Sequence, residues 1–166
     1  MMRTILIPTD FSIESLNLFK VAAQSGITER VHIIFFHCVS LSTSIVDLLF
    51  LSQRKMNESL INENFSNGCT IIRNKFPSSI STDRIEFFSG ITQSSFQNFL
   101  EGNGVTEIFI PKNYTLKKTS HRSFDPMPFI RQSNLLKQEI YWKNADRIPE
   151  KNMLAELFSD PVISIQ

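Results

Sequence analysis

Glycine is scarce in this chain of 166 residues and is missing from its whole C-terminal part. Five glycines occur, the last of them is Gly104, and positions 105 to 166 contain none. The sequence has no Gly-rich dinucleotide fingerprint after its first apolar run, no G-x-x-x-x-G-K phosphate loop and no G-x-S-x-G nucleophile elbow. The hypotheses of a hydrolase, a kinase-like enzyme or a Rossmann dehydrogenase therefore lose their main support.

Cysteine and histidine are also rare. The two cysteines, Cys38 and Cys69, show no CxxC spacing and no secretory signal accompanies them, so we interpret both as buried thiols. His37 and Cys38 are adjacent on a predicted strand, so their side chains point to opposite faces and cannot bind one metal ion together. No metal site is predicted.

Neither sign of charge dominates the chain. It has 17 Lys and Arg against 16 Asp and Glu, a formal net charge of +1, which gives no global attraction to nucleic acid or to an anionic membrane. The apolar run near the N-terminus is interrupted by Pro8 and Asp10, which fits neither a signal sequence nor a membrane span. We therefore expect a cytoplasmic protein with no nucleic-acid or membrane partner.

Hydrophobic residues make up 42% of the sequence, which is enough to bury one substantial core. Helical patterns alternate with five strand-like runs, which read "TILIP", "VHIIFFHCV", "DRIEFFSG", "TEIFIP" and "PVISI". The second run is too continuously apolar for a strand that faces solvent on one side. The pattern predicts a single α/β domain over residues 1–166, with one doubly wound, mainly parallel, five-stranded sheet and helices on both faces.

The least regular part of the sequence runs from about 112 to 160. It holds a basic loop, a "DPMP" turn, a predicted helix through Leu135, Leu136 and Ile140, and a shorter predicted helix around 153–158. We expect this segment to be an enlarged irregular and helical region before the last strand.

Several stretches of the chain together resemble the universal stress protein family, a branch of the adenine-nucleotide-binding α/β folds. They are "ILIPTDFS" leading into "SLNLFKVAAQSG", then "VHIIFFHCV", "IEFFSGITQSSFQNFLEGNGVTEIFIP" and the closing "DPVISIQ". These stretches cover about two thirds of the chain in the family's order. The resemblance implies the family's α/β fold and a protein of the stress response.

The resemblance also implies a candidate nucleotide-binding site, either in use or vestigial. In ATP-binding members of the family, a Pro-x-Asp after the first strand reaches the nucleoside, and the backbone at the end of the second strand meets the adenine. Pro8, Thr9 and Asp10 match the first feature, and Cys38 or Val39 stands at the second. ATP is therefore the cofactor to consider.

The family's phosphate loop follows the fourth strand and reads Gly, two residues, Gly, nine residues, then Gly and Ser or Thr. At that place this chain has "IPKNYTLKKTSHRSFDPMPF", which contains no glycine. Its backbone N–H groups therefore cannot surround a phosphate as they do in the family's glycine loop. Side-chain cations offer another means of binding phosphate. The candidates are Lys112, Lys117, Lys118, His121 and Arg122; the alternative is that they form only a solvated loop.

The last predicted strand, Val162 to Ile165, is apolar and would lie at a sheet edge, where a strand needs to be covered or paired. Members of the family commonly dimerise through their closing strand. The resemblance therefore implies a two-fold homodimer, with Pro161, Val162, Ile163 and Ile165 as its contact residues. A separate protein partner remains open.

Two hypotheses of different classes follow. The first is a non-enzymatic regulatory or interaction module of universal stress protein type that has no tight ATP binding, in which Asp10 only caps a turn. The second is an adenine-nucleotide-binding or slow nucleotide-hydrolysing protein that uses Asp10 and the basic loop 112–122 in place of the glycine loop. A segment folded across the Asp10 edge of the sheet would argue against a nucleotide site.

Overall fold

A computed structural model describes residues 2–42, 44–45, 52–142 and 164–165, along which strands and helices alternate. In chain order the elements are β1 (Arg3–Pro8), α1 (Leu16–Ser25), β2 (Val31–Cys38), α2 (Gln53–Glu58), α3 (Glu63–Lys75), β3 (Ile80–Phe88), α4 (Gln93–Gly102), β4 (Glu107–Pro111), α5 (Met127–Gln132), β5 (Leu136–Tyr141) and β6 (Ser164–Ile165). None of the described helices is both long and apolar enough to cross a membrane.

The strands form one sheet in the order β3-β2-β1-β4-β5-β6. Strands β1 to β5 are all parallel, and β6 pairs antiparallel with the end of β5 through Ile140 and Tyr141. Because the order reverses at β1, helices lie on both faces. The predicted doubly wound, mainly parallel α/β fold is therefore confirmed.

The core has two layers because successive side chains of a strand point to opposite faces. On one face α1 and α3 pack against a cluster that includes Ile5, Ile7, Ile33, Phe35 and Phe109. On the other face α4 and α5 pack against a cluster that includes Leu6, Ile34, Phe36, Ile108 and Ile110. The nearly continuous apolar runs of β1, β2 and β4 follow from this burial on both faces.

Two helices begin at caps that the local sequence provides. The Asn62 side chain accepts from the backbone N–H of Phe65 at 2.8 Å to start α3, and the Thr92 hydroxyl accepts from Ser95 N at 3.1 Å to start α4. Such caps satisfy N–H groups that the first helical turn leaves unpaired.

The fifth parallel strand corrects the sequence analysis. Leu135, Leu136 and Ile140 were expected on a helix, but residues 136–141 form β5, in which Leu136 is 64% exposed and Ile140 is buried. Leu136 and Ile140 are four residues apart, as they would be on one face of a helix. The alternation of apolar and polar residues that is typical of a strand is hidden, because β5 lies near the sheet edge and carries polar residues at 137–139.

The C-terminal prediction is also changed. Ser164–Ile165 forms a short sixth strand antiparallel to β5, whereas the sequence suggested that the closing run would be the fifth strand of a mainly parallel sheet. The predicted helix at 153–158 lies outside the described residues, as do Pro161, Val162 and Ile163. The dimer surface and the enlarged segment 112–160 therefore stay predictions.

Gly26 follows the end of α1 at a place where the backbone of residue 79 passes very close. A Cβ at Gly26 would lie 2.4 Å from the carbonyl oxygen of Ser79, which accepts the N–H of Val31 at 2.9 Å. That contact joins α1 to the starts of β2 and β3, and the backbone atom cannot move aside freely.

We expect Gly26→Ala to lower the free energy of unfolding by about 1–3 kcal/mol, because the added methyl group must push the Ser79 backbone away. Urea denaturation measures this change. The matched control is Gly102→Ala, at a helical position where a Cβ would meet nothing within 4 Å; it should be neutral or stabilising. Equal effects of both substitutions would contradict the close-approach explanation.

Candidate functional site at the carboxyl ends of the strands

The loops after β1 and β4 leave the sheet toward opposite faces, at the point where the strand order reverses. In open α/β sheets, ligands bind in the crevice that forms at this point. We call residues 9–15 the β1 loop and residues 112–126 the β4 loop. The end of β2 lies beside the β1 loop, since Thr9 N donates to Phe36 O at 2.9 Å.

Asp10 lies at the centre of this edge and is only 6% exposed. Its Oδ1 accepts from the backbone N–H and the hydroxyl of Ser12, at 3.0 and 2.5 Å. Its Oδ2 accepts from the Tyr114 hydroxyl and, at 2.8 Å, from the backbone N–H of Lys117. A carboxylate has about four acceptor positions. The protein's own donors therefore occupy the Asp10 carboxylate, two from each loop.

The Tyr114 hydroxyl acts as a hydrogen-bond donor to Asp10. Burial and the hydrogen bond to Asp10 raise the pKa of its hydroxyl well above the ordinary value of 10.0, so the phenol stays protonated. Its ring lies 5.8 Å from the ring of Trp142, and the Trp142 indole N–H donates to Glu14 in the β1 loop at 3.5 Å. The Asn113 side chain donates to the Trp142 carbonyl. These contacts anchor the first half of the β4 loop.

The second half of the β4 loop pairs with the backbone that follows β2. Ser40 N donates to Arg122 O at 2.8 Å, and Phe124 N donates to Cys38 O at 3.1 Å, which forms an antiparallel bridge between Val39 and Ser123. Cys38 and Val39 are the residues whose backbone the family resemblance assigned to an adenine. In this structure they bind the protein's own loop.

His37, on β2, connects the β1 loop to the β4 loop. Its Nδ1 lies 2.8 Å from the carbonyl oxygen of Thr9 and its Nε2 lies 2.8 Å from the Ser123 hydroxyl. A carbonyl can only accept, so Nδ1 carries the proton and Nε2 accepts from Ser123. Burial lowers the pKa of His37, which favours this neutral form.

The β1 loop has an unusual backbone at Phe11, where φ is 60°. A bulky residue rarely adopts this left-handed conformation, which costs free energy that the surroundings must supply. Phe11 is buried against His37, Phe65 and Phe87, and its carbonyl accepts from the Asn62 side chain at 2.8 Å. This packing holds the turn that presents Asp10 to the β4 loop.

A cavity of about 340 Å³ remains beside these contacts. Its volume lies within the range of small-molecule sites, and its lining is mostly apolar with charged groups. The lining residues are Thr9, His37, Leu116, Lys117, Lys118, Ser123, Phe124, Asp125 and Pro126. The structure therefore places Lys117 and Lys118 beside a cavity, together with Thr9 from the predicted site.

The remaining predicted residues lie elsewhere. Pro8 is buried at the end of β1, and the thiol of Cys38 lies in the apolar core, where burial raises its pKa above the ordinary value. Lys112 lies 3.7 Å from the Glu139 carboxylate on β5 and does not line the cavity. Within the described residues, no group of three or more potential metal ligands is close enough to hold an ion.

Sequence reasoning missed the residues that close the site. The sequence did not predict that Tyr114 donates to Asp10, and Tyr114 does not line the cavity. Thr119, whose hydroxyl donates to the Asp10 carbonyl at 2.8 Å, and Ser123 had not been considered. Their only local signal is a loop rich in hydroxyl groups that follows a strand end.

The lowered pKa of His37 predicts a loss of stability in acid. The unfolded histidine binds a proton as pH falls through about 6.5, whereas the folded one does not until a lower pH, so stability decreases across that interval. The slope is at most about 1.4 kcal/mol per pH unit. His37→Gln should remove this part of the slope in urea denaturation between about pH 7 and 5.

The matched control is His121→Gln, which removes an exposed histidine of the β4 loop. Comparing the two variants separates the effect of burial at His37 from the loss of one histidine as such. If His37→Gln left the slope unchanged, the neutral, hydrogen-bonded state of His37 would be contradicted.

Solved structures share this fold. UspA from Lactobacillus plantarum, a universal stress protein, gives a TM-score of 0.55 at 14% identity, over 85% of this chain and 97% of that one. The hypothetical protein MJ0577 gives 0.54 at 18% identity, over 87% and 99%. The hypothetical protein PH0823 gives 0.50 at 18% identity, over 85% and 97%.

No protein-family model matches the chain, and no curated protein sequence matches it significantly. At identities this low, the likeness is one of fold. The resemblance inferred from the sequence is confirmed at that level: this chain has the α/β fold of the universal stress protein structures.

Proposed function

We propose that this protein is a non-enzymatic regulatory or interaction module of the universal stress protein family, acting in the cytoplasm, in which the β4 loop takes the place of a nucleotide. The observation that carries the proposal is the Asp10 carboxylate, whose four donors all come from the protein. The fold likeness and the lack of glycine after Gly104 support it.

A nucleoside hydroxyl would have to displace one of those donors to reach Asp10. The displaced group would lose a hydrogen bond to a buried carboxylate, which costs about 1–3 kcal/mol. At 1.4 kcal/mol per decade, this is a loss of roughly 5- to 150-fold in affinity for that single contact. The end of β2 imposes a similar cost, because Cys38 O and Ser40 N already have partners in the β4 loop.

The first test is nucleotide binding by the freshly purified protein. We expect no adenine nucleotide to be released on denaturation, as checked by mass spectrometry. Calorimetric titration with ATP and magnesium should show no binding tighter than roughly 100 μM, about −5.5 kcal/mol. Carried-over nucleotide, or tighter binding, would overturn the proposal.

The cavity supports one alternative, an adenine-nucleotide-binding protein. Lys117 and Lys118 are exposed where they line the cavity, and their ammonium groups could neutralise a phosphate without a glycine loop. ATP would then be bound through Asp10 and the basic loop, and Asp10→Ala and Lys117→Ala would each lower the affinity for ATP.

The effects of the same two substitutions on the free energy of unfolding distinguish the proposal from its alternative. If the loop replaces the ligand, Asp10→Ala leaves the donors of both loops without their acceptor and should lower the free energy of unfolding by about 2–4 kcal/mol. Lys117→Ala should change it by less than about 0.5 kcal/mol, because the backbone N–H that binds Asp10 remains. Urea denaturation measures both.

The matched carboxylate control is Asp125→Ala. Asp125 is exposed and its Oδ1 accepts the N–H of Met127 at 3.0 Å, so its removal should cost no more than about 1 kcal/mol. A loss of stability for Asp10→Ala no greater than that of the control would contradict the structural role of Asp10.

A further inference from the structure

The two edges of the sheet differ in how they are covered. At one edge, β6 pairs with the end of β5 at Ile140 and Tyr141. At the other edge lies β3, whose nine residues make it the longest of the described strands. Within the described residues, β3 pairs only with β2. A long open edge of this kind is a template for another strand.

The free backbone groups of β3 belong to alternate residues. Phe88 O accepts the N–H of Val39 and so points toward β2. In the parallel register of β2 and β3, this alternation turns the N–H and C=O groups of Asp83, Ile85 and Phe87 away from the sheet. None of the described hydrogen bonds uses these outward groups.

The side chains around Ile85 carry a charge pattern that is complementary to itself. Arg84 and Glu86 flank Ile85, form an ion pair of 2.9 Å, and have side chains 42% and 36% exposed. If a second copy of β3 lay antiparallel to the first with Ile85 opposite Ile85, each Arg84 would face Glu86 of the other copy. Opposite charges in directly paired positions stabilise antiparallel strands.

We propose that β3 is an interface between two copies of this chain, paired antiparallel about a two-fold axis at Ile85. The two Ile85 residues exchange N–H···O=C bonds, and Asp83 of each copy does so with Phe87 of the other, which joins the two sheets. This surface is distinct from the C-terminal strand, and the proposal does not depend on whether a nucleotide binds at Asp10.

Asp83 would oppose the interface if its charge were free, because it stands opposite Phe87 of the second copy. Its carboxylate is instead neutralised by Arg73 of α3, through bonds of 2.7 and 2.5 Å. With that pair and the pairing of Arg84 with Glu86, the strand brings no net charge to the contact. A groove of about 530 Å³ beside Ile85 and Phe87 leaves space on this face for the second copy's side chains.

This complementarity favours a second copy over an unrelated extended peptide. Any extended peptide could use the outward backbone groups. In an antiparallel pair of two β3 strands, however, each Arg84 stands opposite a Glu86, so the strand is complementary in charge to a second copy of itself. An isologous contact of this kind by itself closes after two copies.

The test is the monomer–dimer equilibrium of the full chain, measured by sedimentation equilibrium over a range of concentrations. Arg84→Glu places two glutamates opposite each other at each paired site, and Glu86→Arg places two arginines there. Each single variant should therefore raise the dimer dissociation constant by about tenfold or more at low salt. Arg131→Glu, at an exposed position on α5, is the control and should leave it unchanged.

Complementation makes the test independent of whether either variant is less stable. In an equimolar mixture, the glutamates of Arg84→Glu face the arginines of Glu86→Arg, so a heterodimer should form with the affinity of the unsubstituted protein. The double variant should also recover the homodimer. A monomeric unsubstituted protein, single variants that dimerise normally, or a mixture that fails to form heterodimers would each overturn the proposal; persistent dimers would then point to another surface.

Discussion

The carboxylate of Asp10 is the acceptor on which the carboxyl edge of this sheet depends. A buried charge is tolerated only where donors replace the water it has lost. Ser12 satisfies one oxygen from within the β1 loop, and Tyr114 and Lys117 satisfy the other from more than one hundred residues away. The β4 loop has no regular structure of its own over most of its length, so its path is determined by such anchors.

The lack of glycine in the β4 loop is consistent with this arrangement. A glycine-rich loop can point several backbone N–H groups at an external phosphate. Here the N–H of Lys117 points at the protein's own carboxylate, and the N–H of Phe124 points at the carbonyl of Cys38. Donors that would otherwise be available to a ligand stabilise the closed loop, and the lysine side chains are left beside the cavity.

Burial on two faces explains which elements the sequence could predict. The strands β1, β2 and β4 are covered on both sides and read as apolar runs, and Asp10 stands out because it follows one of them. Strand β5 was mistaken for a helix because its polar residues 137–139 lie near the edge. The donors to Asp10 could not be predicted, since Tyr114 and Lys117 reach it through tertiary folding that leaves no periodic pattern.

The closed loop also limits how strongly any ligand can use Asp10. Among the contacts that opening breaks are those of Tyr114, Lys117 and Thr119 with Asp10 and the bond between Ser123 and His37. If each of these four contributes about 1 kcal/mol net, they alone reduce the population of the open state to about one part in a thousand. A nucleotide with an intrinsic dissociation constant of about 1 μM for the open state would then bind at about 1 mM. Tight binding therefore requires a ligand that fits the cavity while the loop stays closed, or a partner that does not need this edge of the sheet.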